Sequence, residues 1–121
     1  MFIKSGDYSN ALAVQTEALK KHPGNSLMHS HRAAVLNRMK RWEDAATASE
    51  IALRLSPDNS YFHHQRASIL MNLDRLTDAK LNQERALMLD PLNKGFKAQQ
   101  LAICTRLTQS TNSSKPTSVA A

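Results

Sequence analysis

The chain has 121 residues, of which 41% are apolar, 21% charged and only 5% aromatic, so one small domain or short repeat array must build its core from aliphatic and alanine side chains. One cysteine excludes an intramolecular disulfide framework and any multi-cysteine metal site, and three glycines leave little for a Gly-rich all-β fold or a phosphate-cradling loop. Sixteen Lys and Arg against ten Asp and Glu give a formal charge of +6, which raises nucleic acid or another polyanion as a partner class.

Taken in order, residues 8–21 carry Tyr8, Ala11, Leu12, Ala18 and Leu19 at helical spacing. Residues 26–39 do the same with Met28, Ala33, Leu36 and Met39, and 42–55 with Trp42, Ala45, Ala52, Leu53 and Leu55. The polar pair Lys40-Arg41 between them reads as a short turn. Phe62, Ala67, Leu70 and Leu73 mark the next helix, and Leu76, Ala79, Ala86, Leu87 and Leu89 the one after it. Residues 94–107 form a last helix with Phe96, Leu101, Cys104 and Leu107 as its stripe. The Ser/Thr-rich segment 108–121, nearly free of large apolar groups, is expected to be disordered. No apolar run approaches the roughly 20 residues that span a bilayer. The opening MFIKSGDYSN lacks the apolar stretch of a signal peptide. The expected compartment is therefore the cytoplasm, with the nucleus left open.

These helices belong to a repeat. Pro23, Pro57 and Pro91 are spaced by 34 residues, each followed two positions later by Asn25, Asn59 or Asn93. Units 26–59 and 60–93 align without insertion and share fourteen identities in 34 positions. Proline cannot extend the second helix of a unit, and the asparagines are natural N-caps for the helix that follows. Ala33 with Ala45, and Ala67 with Ala79, allow the two helices of a unit to approach closely; Ala52 and Ala86 let neighbouring units nest. The expected organisation is a partial first repeat over 1–25, full repeats over 26–59 and 60–93, a capping helix over 94–107 and the tail over 108–121.

With that period the chain resembles the tetratricopeptide-repeat family. His29, Arg32-Ala33, Leu36, Ala45, Ser49 and Pro57 occupy the family's pattern in one unit, and His63, Arg66-Ala67, Leu70, Ala79, Gln83 and Pro91 in the next. Tyr8 and Trp42 take the aromatic slot at the start of the second helix, and Gly6 the turn glycine. The small residues and the prolines match; the large aromatics mostly do not. The resemblance spans residues 1–107 and implies an all-α, right-handed α-solenoid of helix-turn-helix units. Its register puts Met1 near the end of a first helix, makes Phe2 to Asp7 that helix's last turn and the connecting loop, and leaves 8–21 a second helix lacking its mate. The face around Tyr8 and Leu12 is then an interface candidate, for a longer parent array, another protein or a second copy of this chain.

The resemblance also implies a non-catalytic adaptor that holds a peptide segment of a partner protein on the concave face lined by first helices. In register, the inward residues are Leu27, Ser30, His31, Ala34, Asn37 and Arg38 in one unit and Tyr61, His64, Gln65, Ser68, Met71 and Asn72 in the next. The last helix adds Ala98, Gln99, Ala102, Thr105 and Arg106. His31, Asn37, Arg38, Tyr61, His64, Gln65, Met71, Asn72, Gln99 and Arg106 are the groove candidates, a set with two guanidinium groups and no carboxylate. Co-chaperone adaptors of the family clamp the C-terminal carboxylate of heat-shock chaperones with Lys, Asn and Arg residues. Here the asparagine slot holds His31 and the later Lys and Arg slots hold Tyr61 and Gln65, so that clamp is not carried over.

Other chemistries fare worse. His29 and His31, two apart, point to different sides of a helix, and so do the adjacent His63 and His64, so no metal site is expected. No cofactor is expected, and no nucleophile with an adjacent base can be argued from the spacing; Cys104 lies on an apolar stripe. Nucleic-acid binding would rest on Arg38, Lys40, Arg41 and Arg75, without interleaved aromatics for stacking. Arg32 and Arg66 repeat in step with Glu50 and Glu84, from which an ion pair inside each unit is expected.

Overall fold

The computed structural model describes residues 5–114, which fold into six helices. These are α1 (Ser5–Lys21), α2 (Ser26–Arg38), α3 (Trp42–Leu55), α4 (Ser60–Asn72), α5 (Leu76–Leu89) and α6 (Lys94–Ser114). No strand occurs among the described residues. Helices α2 and α3 form one hairpin and α4 and α5 the next; each first helix also lies against the second helix of the unit before it. The architecture is an all-α helical repeat solenoid.

The helix boundaries repeat as faithfully as the sequence. Asn25, Asn59 and Asn93 each accept, through Oδ1, the backbone N–H three residues on, at 3.1, 3.1 and 3.0 Å. The first helices end in Schellman turns. Arg41 N donates to Leu36 O and Lys40 N to Asn37 O; Arg75 N donates to Leu70 O and Asp74 N to Met71 O. The turn needs a left-handed residue, and Lys40 (φ 63°) and Asp74 (φ 59°) supply it without being glycine. After each second helix, Asn25 N, Asn59 N and Asn93 N donate to His22 O, Ser56 O and Asp90 O, closing turns with proline as their second residue.

The core is itself periodic. Ala33, Leu36, Ala45 and Ile69 form one buried cluster with Ala46 and Ala48; Ala67, Leu70, Ala79 and Ile103 form the other. The four shared positions differ by 34 in every case, and Leu73 packs on both clusters. The step Val35, Ile69, Ile103, all buried, is a core position that the alanine pattern does not reveal. Among the large residues, Leu36, Ile69, Leu70 and Ile103 are sealed from solvent, so alanine-lined packing carries most of the remainder.

Three expectations are corrected. Residues 5–7 are not loop: α1 begins at Ser5, with Asp7 in its first turn and Lys20 and Lys21 in its last, charges that suit the helix dipole at each end. The start of that expected last turn and loop, residues 2–4, and Met1 lie outside the described residues. Helix α6 does not stop at 107 but continues to Ser114. No Gly or Pro interrupts 108–114, and Thr108 Oγ1 donates to Cys104 O at 3.0 Å within the helix; the rest of the expected tail, 115–121, lies outside the described residues. The apolar stripe of α6 is Phe96, Ile103 and Leu107, not Leu101, which is 69% exposed. Leu101 stands in the Ala33 and Ala67 position, where those alanines meet the second helix of their own unit; no such helix follows α6 among the described residues.

Candidate functional site

First helices bring the candidate groove together. Ala34, Asn37 and Arg38 of α2 and Tyr61, His64, Gln65 and Ser68 of α4 line a cleft of about 190 Å³. All seven are residues that the register turns inward. Tyr61 is half exposed, and Arg38 is exposed and makes no ion pair among the described residues. His64 stacks on Phe96 with ring centroids 4.6 Å apart, and Tyr61 tilts toward it at 6.1 Å.

Below these side chains the units are riveted together by glutamines. Gln65 Nε2 donates to Ser30 O and its Oε1 accepts from Ser30 Oγ, both at 2.9 Å. One unit on, Gln99 Nε2 donates to His64 O at 3.0 Å, the same bond moved by 34 residues, and to Gln83 Oε1 at 2.7 Å. Gln83, fully buried, returns a bond from Nε2 to Phe96 O at 3.0 Å. Gln65 is therefore a wall of the cleft with both ends of its amide engaged, and only 7% of it reaches solvent. Sequence reasoning assigned Gln83 to a family slot and missed this role; the signal was a polar residue, 34 after buried Ser49, on an otherwise apolar face.

The His64 imidazole lies 3.2 Å from Gln83 Oε1 through Nδ1. The amide oxygen only accepts, so Nδ1 carries the proton and Nε2 keeps its lone pair. Burial pushes the His64 pKa below the usual histidine value, and the bond to Gln83 offsets part of the effect. The site thus presents a neutral imidazole beside one guanidinium.

The remaining groove candidates scatter. Asn72 Nδ2 donates to Asn37 Oδ1 at 2.8 Å, bridging α4 to α2. Arg106 points to Asp74 at 3.4 Å, so one of the two guanidinium groups is held by a carboxylate. Met71 flanks the second core cluster, Gln99 is half-buried in its bridge, and His31 is exposed outside the cleft. At the other end, Tyr8 is half-buried and Leu12 packs on the first core cluster; Val14, 68% exposed, is a large apolar side chain that α1 leaves open.

The histidines at the family's aromatic slot have a backbone role. His29 Nε2 bonds Pro23 O at 2.9 Å and His63 Nε2 bonds Pro57 O at 2.7 Å, tying each first helix to the turn before it. Among the described residues, no group of three or more His, Cys, Asp or Glu converges. Of the basic cluster, Arg41 and Arg75 are paired with Asp44 and Asp78 at 2.8 and 3.0 Å. Among the described residues no helix is long and apolar enough to cross a membrane.

The expected ion pairs inside units are overturned. Arg66 reaches Glu50 at 3.6 Å, in the unit before its own, and also donates to Ala46 O at 2.7 Å. Arg32 donates to Thr16 Oγ1 of α1 at 2.9 Å. A first helix has a second helix on each side, and the partner comes from the preceding one, Thr16 of α1 for Arg32 and Glu50 of α3 for Arg66.

Helical hairpins stacked on a 34-residue step, capped and cored at the same positions each time, define a tetratricopeptide-repeat protein. Known structures agree. The first such domain of the human RPAP3 protein is 26% identical, with 89% of this chain and 85% of that one covered and a TM-score of 0.84. The second domain of human RPAP3, solved with the HSP70 peptide SGPTIEEVD, is 26% identical over 84% and 85%, with a TM-score of 0.77. The first domain of Spaghetti (RPAP3), bound to the HSP90 peptide SRMEEVD, is 25% identical over 85% and 82%, with a TM-score of 0.81. No family model and no curated protein matches the sequence.

Proposed function

We propose that the chain is a non-catalytic protein-interaction module whose cleft between α2 and α4 holds an extended peptide segment of a partner protein. The observation that carries this is the cleft itself: seven inward residues from two successive first helices, with Arg38 in no ion pair among the described residues, Tyr61 half exposed and an unprotonated His64 nitrogen, on a floor stiffened by the Ser30–Gln65 bridge. Two similar structures hold peptides, which supports the class of ligand. The peptide is not a chaperone tail of the SRMEEVD kind, because Tyr61 and Gln65 stand where the adaptors use Lys and Arg, and the Gln65 amide is spent on Ser30. Arg38 suits a carboxylate or carbonyl of the ligand, Tyr61 an apolar or aromatic side chain, and His64 a hydrogen-bond donor.

Selection from a random peptide library on the immobilised chain tests this. Enriched peptides should lose at least about tenfold in affinity, some 1.4 kcal/mol, when Arg38→Ala and Tyr61→Ala are combined, while SRMEEVD binds neither protein. Peptides that bind the double variant as well as the parent would place the working surface elsewhere.

A further inference from the structure

The two repeats allow a comparison inside one molecule. Arg66, half-buried on α4, is satisfied by Glu50 Oε1 at 3.6 Å, Ala46 O at 2.7 Å and Ser49 Oγ at 3.3 Å. Arg32 stands 34 residues earlier, at the equivalent position of α2, but the position of Glu50 is taken by Thr16. A hydroxyl 2.9 Å away accepts one N–H and brings no charge. Arg32 has no ion pair among the described residues.

Arg32 is also at a cavity. It lines a cleft of about 250 Å³ whose walls include Leu19 of α1, Leu36 of α2 and Ala48 and Ile51 of α3. On the same lining, Arg41 is neutralised by Asp44 at 2.8 Å, so the Arg32 guanidinium is the charge left over. His29 donates from Nε2 to Pro23 O, which keeps its imidazole engaged and its other nitrogen unprotonated in the neutral form. This outer cleft shares no residue with the groove between α2 and α4.

We propose that the outer cleft is a docking site for a glutamate side chain of a partner protein. Its carboxylate takes the place at Arg32 that Glu50 fills at Arg66, and its methylenes lie against Leu19 and Ile51. A carboxylate is the fitted group because the molecule already closes the equivalent position with one. The inference is independent of the peptide groove, since a partner can engage either surface alone.

Titration of the chain with acetylated hexaglutamate at constant ionic strength, followed by NMR of the arginine Nε–Hε groups and the Thr16 methyl, tests the site. Arg32 and Thr16 should shift saturably, while Arg54, paired with Glu50 on the surface, moves little. Thr16→Glu supplies the missing carboxylate from within: it should abolish the shifts and raise the thermal midpoint. Arg32→Gln should abolish them without raising it. Equal responses at Arg32 and Arg54, an undiminished response in Thr16→Glu, or a response to inorganic phosphate and not to hexaglutamate would each overturn the proposal.

Discussion

At the residue scale, the molecule tolerates local cost where the repeat demands a shape. Lys40 sits at φ 63° because the Schellman turn after α2 requires a left-handed residue. A side chain with Cβ there costs about 1–2 kcal/mol, so Lys40→Gly should stabilise the chain by about 1 kcal/mol, less the entropy glycine adds to the unfolded state. Urea unfolding measures it, and a loss of stability would contradict the turn assignment. His64 makes the complementary case. Its pKa is lowered from 6.5 in the fold, so the unfolded chain takes up the proton more readily. Its contribution is complete above that value and is lost as pH falls through the depressed one. The stability difference between parent and His64→Gln should therefore shrink from about pH 7.5 to about pH 5, with the His64 ring resonances titrating below 6.5.

At the element scale, each helix is delimited by an asparagine at its start or a forced turn at its end, and α2 to α5 are held by small residues on their inner faces. Asn59→Ala removes the acceptor of Phe62 N and should cost about 1 kcal/mol. The same position in two units separates packing from propensity. Ala67→Leu forces a branched side chain into a site with no exposure and should cost about 1–3 kcal/mol. Leu101→Ala, the reverse change at the equivalent position of α6, should stay within about 0.5 kcal/mol because that side chain is 69% exposed. Comparable losses from both would show that α6 is covered in solution.

At the scale of the whole molecule, stability is distributed between units and their junctions. Helices α2 to α5 have neighbours on both sides, with α3 and α4 at the middle of the array, whereas α1 and α6 each lack one among the described residues. Amide exchange should be slowest in α3 and α4 and fastest in α1 and the far end of α6. Gln65→Ala breaks two bonds between units and strands Ser30, which is buried, so it should cost about 1–3 kcal/mol. It should also weaken any ligand of the cleft, whose wall it forms. A protection pattern that is uniform along the chain would show that the array unfolds as one unit.

The amino-acid order by itself determined the period, the cap asparagines, the turn prolines, the alanine contacts and the inward face from Ala34 to Ser68. Each of these follows from local geometry: 3.6 residues per turn, and side chains small or capping at a fixed place in every unit. What it could not decide was which neighbour a long side chain meets. A first helix touches the second helix of its own unit and that of the unit before, and linear spacing ranks the two equally. Tertiary structure turned Arg66 back to Glu50 and Arg32 to Thr16, spent Gln65 and Gln99 on the preceding unit, and left Leu101 in solvent where its equivalents are sealed. Those outcomes depend on which helices lie alongside one another, and they set the two clefts apart: one where successive first helices meet, the other where a guanidinium lacks the carboxylate that the next unit has.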